Sequence, residues 1–78
     1  MPIGIVLVNV ETGKDREVYE KLSKKFKEVY FLFGKYDLII KLEVKDFDEL
    51  SEIVFNDIRT IDGIKSTITL AGTSLPDK

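Results

Sequence analysis

Val29-Tyr30-Phe31-Leu32-Phe33 and Leu38-Ile39-Ile40-Lys41-Leu42, joined by Gly34-Lys35-Tyr36-Asp37, decide how this chain folds. Two apolar runs separated by a few residues that begin with Gly predict a β-hairpin. Gly34 takes a positive φ without steric cost, and Asp37 tolerates turn geometry and bonds nearby backbone. In the second run Leu38, Ile40, Leu42 and Val44 share one face, opposite Asp37, Ile39, Lys41 and Glu43. That alternation is the period of a strand.

Upstream, Ile3–Val10 is a continuous run rich in β-branched residues, too short for a good helix. It reads as a strand apolar on both faces, and hence a central one. Thr12-Gly13-Lys14-Asp15 follows, with Thr12 or Gly13 as the expected N-cap. From Lys14 to about Phe26, the residues Val18, Tyr19, Leu22 and Phe26 form one apolar stripe, with charges mainly on the other side. The mixed signs of those charges favour a core-packing helix over a membrane-surface one. Downstream, Asp46 and Glu49 make a variant capping box, and Phe47, Leu50, Ile53, Val54 and Ile58 form a second helical stripe ending near Arg59. Ile61-Asp62-Gly63 is a turn. Ile64–Ala71 closes as a strand, with Ile64, Ile68 and Leu70 expected on one face and Lys65, Thr67 and Thr69 on the other.

The order β-α-β-β-α-β predicts an α+β, ferredoxin-like sandwich: one four-stranded antiparallel sheet with two helices on one face. Residues 1–72 make one domain, and 73–78 a C-terminal tail. Two helices cover only one face of such a sheet, yet Ile5 and Leu7 point to one side and Val6 and Val8 to the other. Monomers rarely leave an apolar patch of several hundred Å² in water, so a homodimer built through its sheets is expected.

With 78 residues the chain holds one domain, which buries only about 60–65% of its unfolded surface. It has no Cys and no His, so no disulfide or Cys/His metal site staples it. Tight packing or oligomerisation has to stabilise it instead. The composition, 44% apolar and 33% charged, is that of a globular protein. A net charge of −2 argues against a large nucleic-acid footprint. No apolar run is long enough to span a membrane and none resembles a signal peptide, so a cytoplasmic location with no membrane partner is the expectation. The absence of Gln and Cys beside abundant Lys and Glu points towards a thermophile.

Catalysis finds little support, because nucleophile–base pairs usually need His or Cys. Asp46, Asp48 and Glu49 crowd a helix start, where capping explains them. No metal-ligand spacing appears, and no cofactor is called for. Single-stranded RNA binding on this topology needs aromatics on the central strands, which instead carry Val6, Val8, Ile39 and Lys41; Tyr30, Phe31 and Phe33 fall on the edge strand. The hairpin tip remains. Backbone N–H groups beside Gly34 suit a carboxylate, Tyr36 adds an aromatic, and Asp37 either receives an ammonium or fixes the turn. Those are the two charged ends of a free amino acid. Thr67 and Thr69 offer neutral hydroxyls from the last strand, where plain β-propensity also explains them.

Three stretches carry a family resemblance: Val8-Asn9-Val10-Glu11-Thr12-Gly13-Lys14, Gly34-Lys35-Tyr36-Asp37-Leu38-Ile39-Ile40-Lys41 and Ile61-Asp62-Gly63-Ile64-Lys65-Ser66-Thr67-Ile68-Thr69-Leu70. Through them the sequence resembles the effector-binding (RAM) domain of the Lrp/AsnC, or feast/famine, transcription regulators, over about Ile3 to Gly72. The resemblance implies dimers built through the sheets, rings of dimers (often octamers), and amino acids bound between dimers. The family's pocket maps onto Gly34, Tyr36 and Asp37 of the hairpin and onto Thr67 and Thr69 of the last strand. Phe33 stands where many relatives have a small hydroxyl residue, a change that narrows the pocket. Full regulators carry an N-terminal helix-turn-helix, whereas this chain starts at the first strand. It is therefore expected to be a stand-alone form that senses an amino acid or co-assembles with a full-length regulator, without binding DNA itself. A small dimeric ferredoxin-like enzyme of monooxygenase or isomerase type is the alternative, although the inward positions read as uniformly apolar. A purely structural oligomerisation subunit is another.

Overall fold

The computed structural model describes residues 2–73, so of the tail expected over 73–78 all but the first residue lies outside them. Strand β1 (Pro2–Val10) leads to helix α1 (Asp15–Lys25), then strands β2 (Glu28–Phe31) and β3 (Leu38–Glu43). Helix α2 (Phe47–Ile53) runs directly into a π-helical turn, Val54–Ile58, and β4 (Ile64–Thr73) closes the chain. All neighbouring strands are antiparallel, in the order β2-β3-β1-β4. The run that is apolar on both faces is thus central, as its composition predicts.

Register settles which face the helices cover. Val6 stands opposite Ile40 on one side and Thr69 on the other, and Val29 stands opposite Ile40. These residues look towards the helices. Val6, Val8, Leu38 and Ile40 are fully buried there, against Val18 and Leu22 of α1 and Leu50 and Ile58 of the second helical segment. The opposite face carries Ile3, Ile5 and Leu7 of β1, Ile39 of β3, Tyr30 of β2, and Ile68 and Leu70 of β4. No described residue covers it: Tyr30, Ile68 and Leu70 are 54%, 41% and 51% exposed.

Several local expectations change. The N-cap of α1 is Lys14, not Thr12 or Gly13, and no side chain caps the helix. Thr12 and Gly13 are used one step earlier, in a turn closed by Lys14 N–H donating to the Glu11 carbonyl at 2.9 Å, with Gly13 at φ 84°. The second cap is as read: Glu49 N–H donates to the Asp46 carboxylate at 2.8 Å, and the Glu49 side chain accepts from Lys45 N–H. Phe47 is not part of the core stripe, being 55% exposed. Leu50, Val54 and Ile58, four residues apart, carry that face. The π-helical turn, which Arg59 N–H closes by donating to the Val54 carbonyl, is wider than an α turn and keeps this spacing in line.

Ile64 also leaves its expected face. The β1–β4 register shifts between Asn9, opposite Ser66, and Val10, opposite Ile64, so Lys65 is bulged out. A single extra residue reverses alternation beyond it, and Ile64 packs on the core while Ile68 and Leu70 face away. Finally, β2 ends at Phe31, which stacks on Tyr19 with ring centroids 4.5 Å apart. Phe33 lies beyond the edge strand, in the loop, wholly exposed.

Candidate functional site

Three connections meet at the end of the sheet where β1 finishes. The loop between β2 and β3 is held at its base by Leu32 N–H donating to the Asp37 carbonyl at 2.9 Å. Asp37 N–H donates to the Val8 carbonyl at 3.0 Å, and the Asp37 Oδ2 accepts from Val10 N–H at 2.9 Å. The turn before β4 joins from the other side, where Glu11 N–H donates to the Gly63 carbonyl at 2.8 Å and Lys14 Nζ lies 3.4 Å from the Asp62 carboxylate. Asp62 foremost, then Glu17, raises the Lys14 ammonium above the usual lysine range, although the pair is exposed and screened by solvent.

Between these ties, Gly34 sits at φ 119° with open space around the position a Cβ would take. The backbone N–H groups of Phe33, Gly34, Lys35 and Tyr36 make no hydrogen bond to another described residue. These four donors are left for solvent or a ligand, and backbone N–H groups beside a glycine suit an anionic group. Tyr36 is half-buried beside it. The Phe33 side chain is wholly exposed in one copy.

The expected residues are therefore only partly brought together. Gly34, Tyr36 and Asp37 share one loop. Thr67 and Thr69 stand on β4, two strands across from β3, with β1 between. Adjacent strands lie ~4.8 Å apart, which puts β4 roughly 10 Å from β3. Both threonines belong to the helix side of the sheet, opposite Val8 and Val6. Thr69 lines a shallow groove with Ser51, Val54, Phe55 and Arg59, whose guanidinium lies 5.8 Å from the Phe55 ring centre. In one copy the strand hydroxyls and the loop donors do not converge.

What sequence reading missed is the partner of Asp37. Its carboxylate joins residues 27 apart, and no local spacing reveals that. One signal was present: β1 is nine residues long against six for β3, so its last groups outrun the ladder and need another acceptor. Among the described residues no group of three or more His, Asp or Glu is arranged to hold a metal, and no polar side chain is buried. No helix among them is long and apolar enough to cross a membrane.

Comparison with known proteins agrees with this fold. The family profile described as Lrp/AsnC ligand binding domain matches residues 4–72. An HTH-type transcriptional regulator of Pyrococcus horikoshii, PH0140, is 37% identical over 76 residues, covering 94% of this chain and 48% of that protein. The chain thus spans about half the length of the curated relatives it matches. Among solved structures, FFRP-DM1 superposes with a TM-score of 0.84 at 35% identity, covering 94% of this chain and all of the other. AsnC of E. coli superposes with a TM-score of 0.85 at 26% identity, over 99% of this chain and 54% of its own. The chain belongs to the Lrp/AsnC ligand-binding domain family, the effector module of a group of transcriptional regulators.

Proposed function

We propose that the chain is a non-catalytic regulatory module that binds a free amino acid at the Gly34–Asp37 loop and works as an assembly of copies in the cytoplasm. The observation that carries this reading is the loop itself: four successive N–H groups that bond no other described residue, around a glycine at positive φ, in a domain of this family. The ligand carboxylate meets those donors. Thr67 and Thr69 lie too far across the sheet to complete the same pocket within one copy, so a neighbouring copy supplies the remaining walls. An assembly of dimers satisfies both this and the open apolar face.

Binding is tested by calorimetry of the assembled protein against each of the twenty common amino acids, with native mass spectrometry to report assembly in parallel. At least one should give heat, and Gly34→Ala should weaken that binding about tenfold, because a Cβ at φ 119° strains the donor loop. Silence from all twenty on a correctly assembled oligomer would leave the loop a structural turn and the chain a purely structural subunit. Thr67→Val and Thr69→Val are milder probes of the strand side, each removing one hydroxyl worth about 0.5–1.5 kcal/mol.

The 78-residue chain should not recognise DNA by itself. Its net charge is −2, and base readout needs an element to enter a groove, which the sheet and its two packed helices do not offer. Contact with DNA therefore calls on a segment outside these 78 residues, whether in the same polypeptide or in a co-assembled regulator. Gel shifts at physiological salt should show no sequence-dependent complex; a specific nanomolar one would refute this.

A further inference from the structure

We infer that Asp37 is a positioning residue, a latch that fastens the donor loop to the end of β1, and that this role rather than a charge contact with ligand makes it necessary for binding; the binding half of the inference rests on the function proposed above. The pairing of β1 with β3 ends at Val8 opposite Leu38, yet β1 continues to Val10. Val8 C=O, on the last residue paired with β3, and Val10 N–H, one rung beyond it, are two residues apart and face the same side of the strand, so both are open to bonding from the loop that follows the ladder.

Asp37 fills both. Its N–H donates to the Val8 carbonyl at 3.0 Å, and its Oδ2 accepts from Val10 N–H at 2.9 Å, where a strand would have offered a backbone carbonyl. Its own carbonyl accepts from Leu32 N–H at 2.9 Å and closes the loop base. One residue therefore ties the loop to β1 twice and to itself once. Val10 is also the point where the β1–β4 register shifts, so the latch restrains the strand where its other ladder is irregular.

This arrangement separates geometry from charge. The side chain of Asn has the same length and keeps a carbonyl oxygen for Val10 N–H. That of Glu keeps the charge but is one methylene longer and displaces the oxygen. A latch is preserved in Asp37→Asn and damaged in Asp37→Glu; a carboxylate that holds a ligand ammonium gives the reverse order. An unheld loop must also be ordered when ligand arrives, which lowers affinity without removing any contact.

Amide hydrogen exchange by NMR on the full chain reads the latch with no ligand present. The Val10 amide should stay protected in wild type and Asp37→Asn, and exchange at least about tenfold faster in Asp37→Glu. Calorimetry against the same twenty amino acids should then show Asp37→Asn within about threefold of wild type and Asp37→Glu weaker by about tenfold. Unchanged Val10 exchange in Asp37→Glu would overturn the latch. Loss of binding in Asp37→Asn with Val10 still protected would overturn the claim that charge is dispensable. If wild type binds none of the twenty, the amino-acid reading fails alone, and the exchange comparison still decides whether Asp37 holds the loop.

Discussion

Val8→Asp should leave the chain unfolded, whereas Leu7→Asp, one residue earlier on the same strand, should leave it folded and monomeric. Val8 has no exposed surface and sits among Val18, Leu22, Leu38 and Ile58, with no polar group buried nearby to pair a carboxylate. An unpaired ionised side chain in such a place costs about 5 kcal/mol or more. A domain of this size has a total stability of roughly 4–12 kcal/mol, so little or nothing remains. Leu7 belongs to the other face, beside Ile39 and Ile68, where water already reaches. There the new charge interferes with a partner sheet, not with the core.

Sedimentation at micromolar concentration separates the two cases. Wild type should run as a dimer or larger, with a melting temperature that rises with concentration, because association stabilises the folded form by mass action. Leu7→Asp should run at the mass of one chain, and its melting temperature should no longer depend on concentration. A Leu7→Asp protein that assembles like wild type would show that the open face is not the interface. A folded Val8→Asp protein would contradict this packing of the core.

Much of this architecture was legible in the sequence because it rests on local periodicity. The order of elements, the central place of β1, the stripe Val18–Leu22 and the Asp46–Glu49 cap each follow from residues within one turn or one strand of each other. What could not be read depends on pairing between distant segments. Nothing near Ile64 announces that Lys65 will bulge, because the bulge exists only relative to β1. Phe47, the first residue of α2, is exposed although its spacing from Leu50 and Val54 fits the buried stripe. The candidate site divides in the same way: the loop donors follow from the Gly34 turn, while the Asp37–Val10 bond and the separation of Thr67 and Thr69 from the loop follow from sheet order.

Gly63→Val should cost about 3–5 kcal/mol, a sum of backbone strain and overpacking that its exposed counterpart Gly34 does not share. Both glycines have positive φ, 101° and 119°, so any side chain at either position meets strain of about 1–3 kcal/mol. Gly34 adds nothing further, since the space around it is open. Gly63 is buried, and a Cβ there would lie 2.9 Å from Val18 Cγ2 and 3.2 Å from Lys14 Cβ. Val18 is itself fully buried, so it has no solvent to retreat into. The strain falls where α1, β1 and β4 meet, because the Gly63 carbonyl accepts from Glu11 N–H. Relief requires lifting the Ile61–Gly63 turn away from α1, which breaks that bond and draws Ile64 off the core. Each kcal/mol shifts the melting temperature of a domain this small by about 4–8 °C, so Gly63→Val should melt at least ~12 °C below wild type. Gly34→Ala, with strain alone, should fall by less than Gly63→Val, roughly 4–24 °C over the same range of strain. Thermal melts of the two variants at one protein concentration make the comparison. Equal losses would mean that the packing of the Gly63 turn against Val18 contributes nothing beyond backbone conformation.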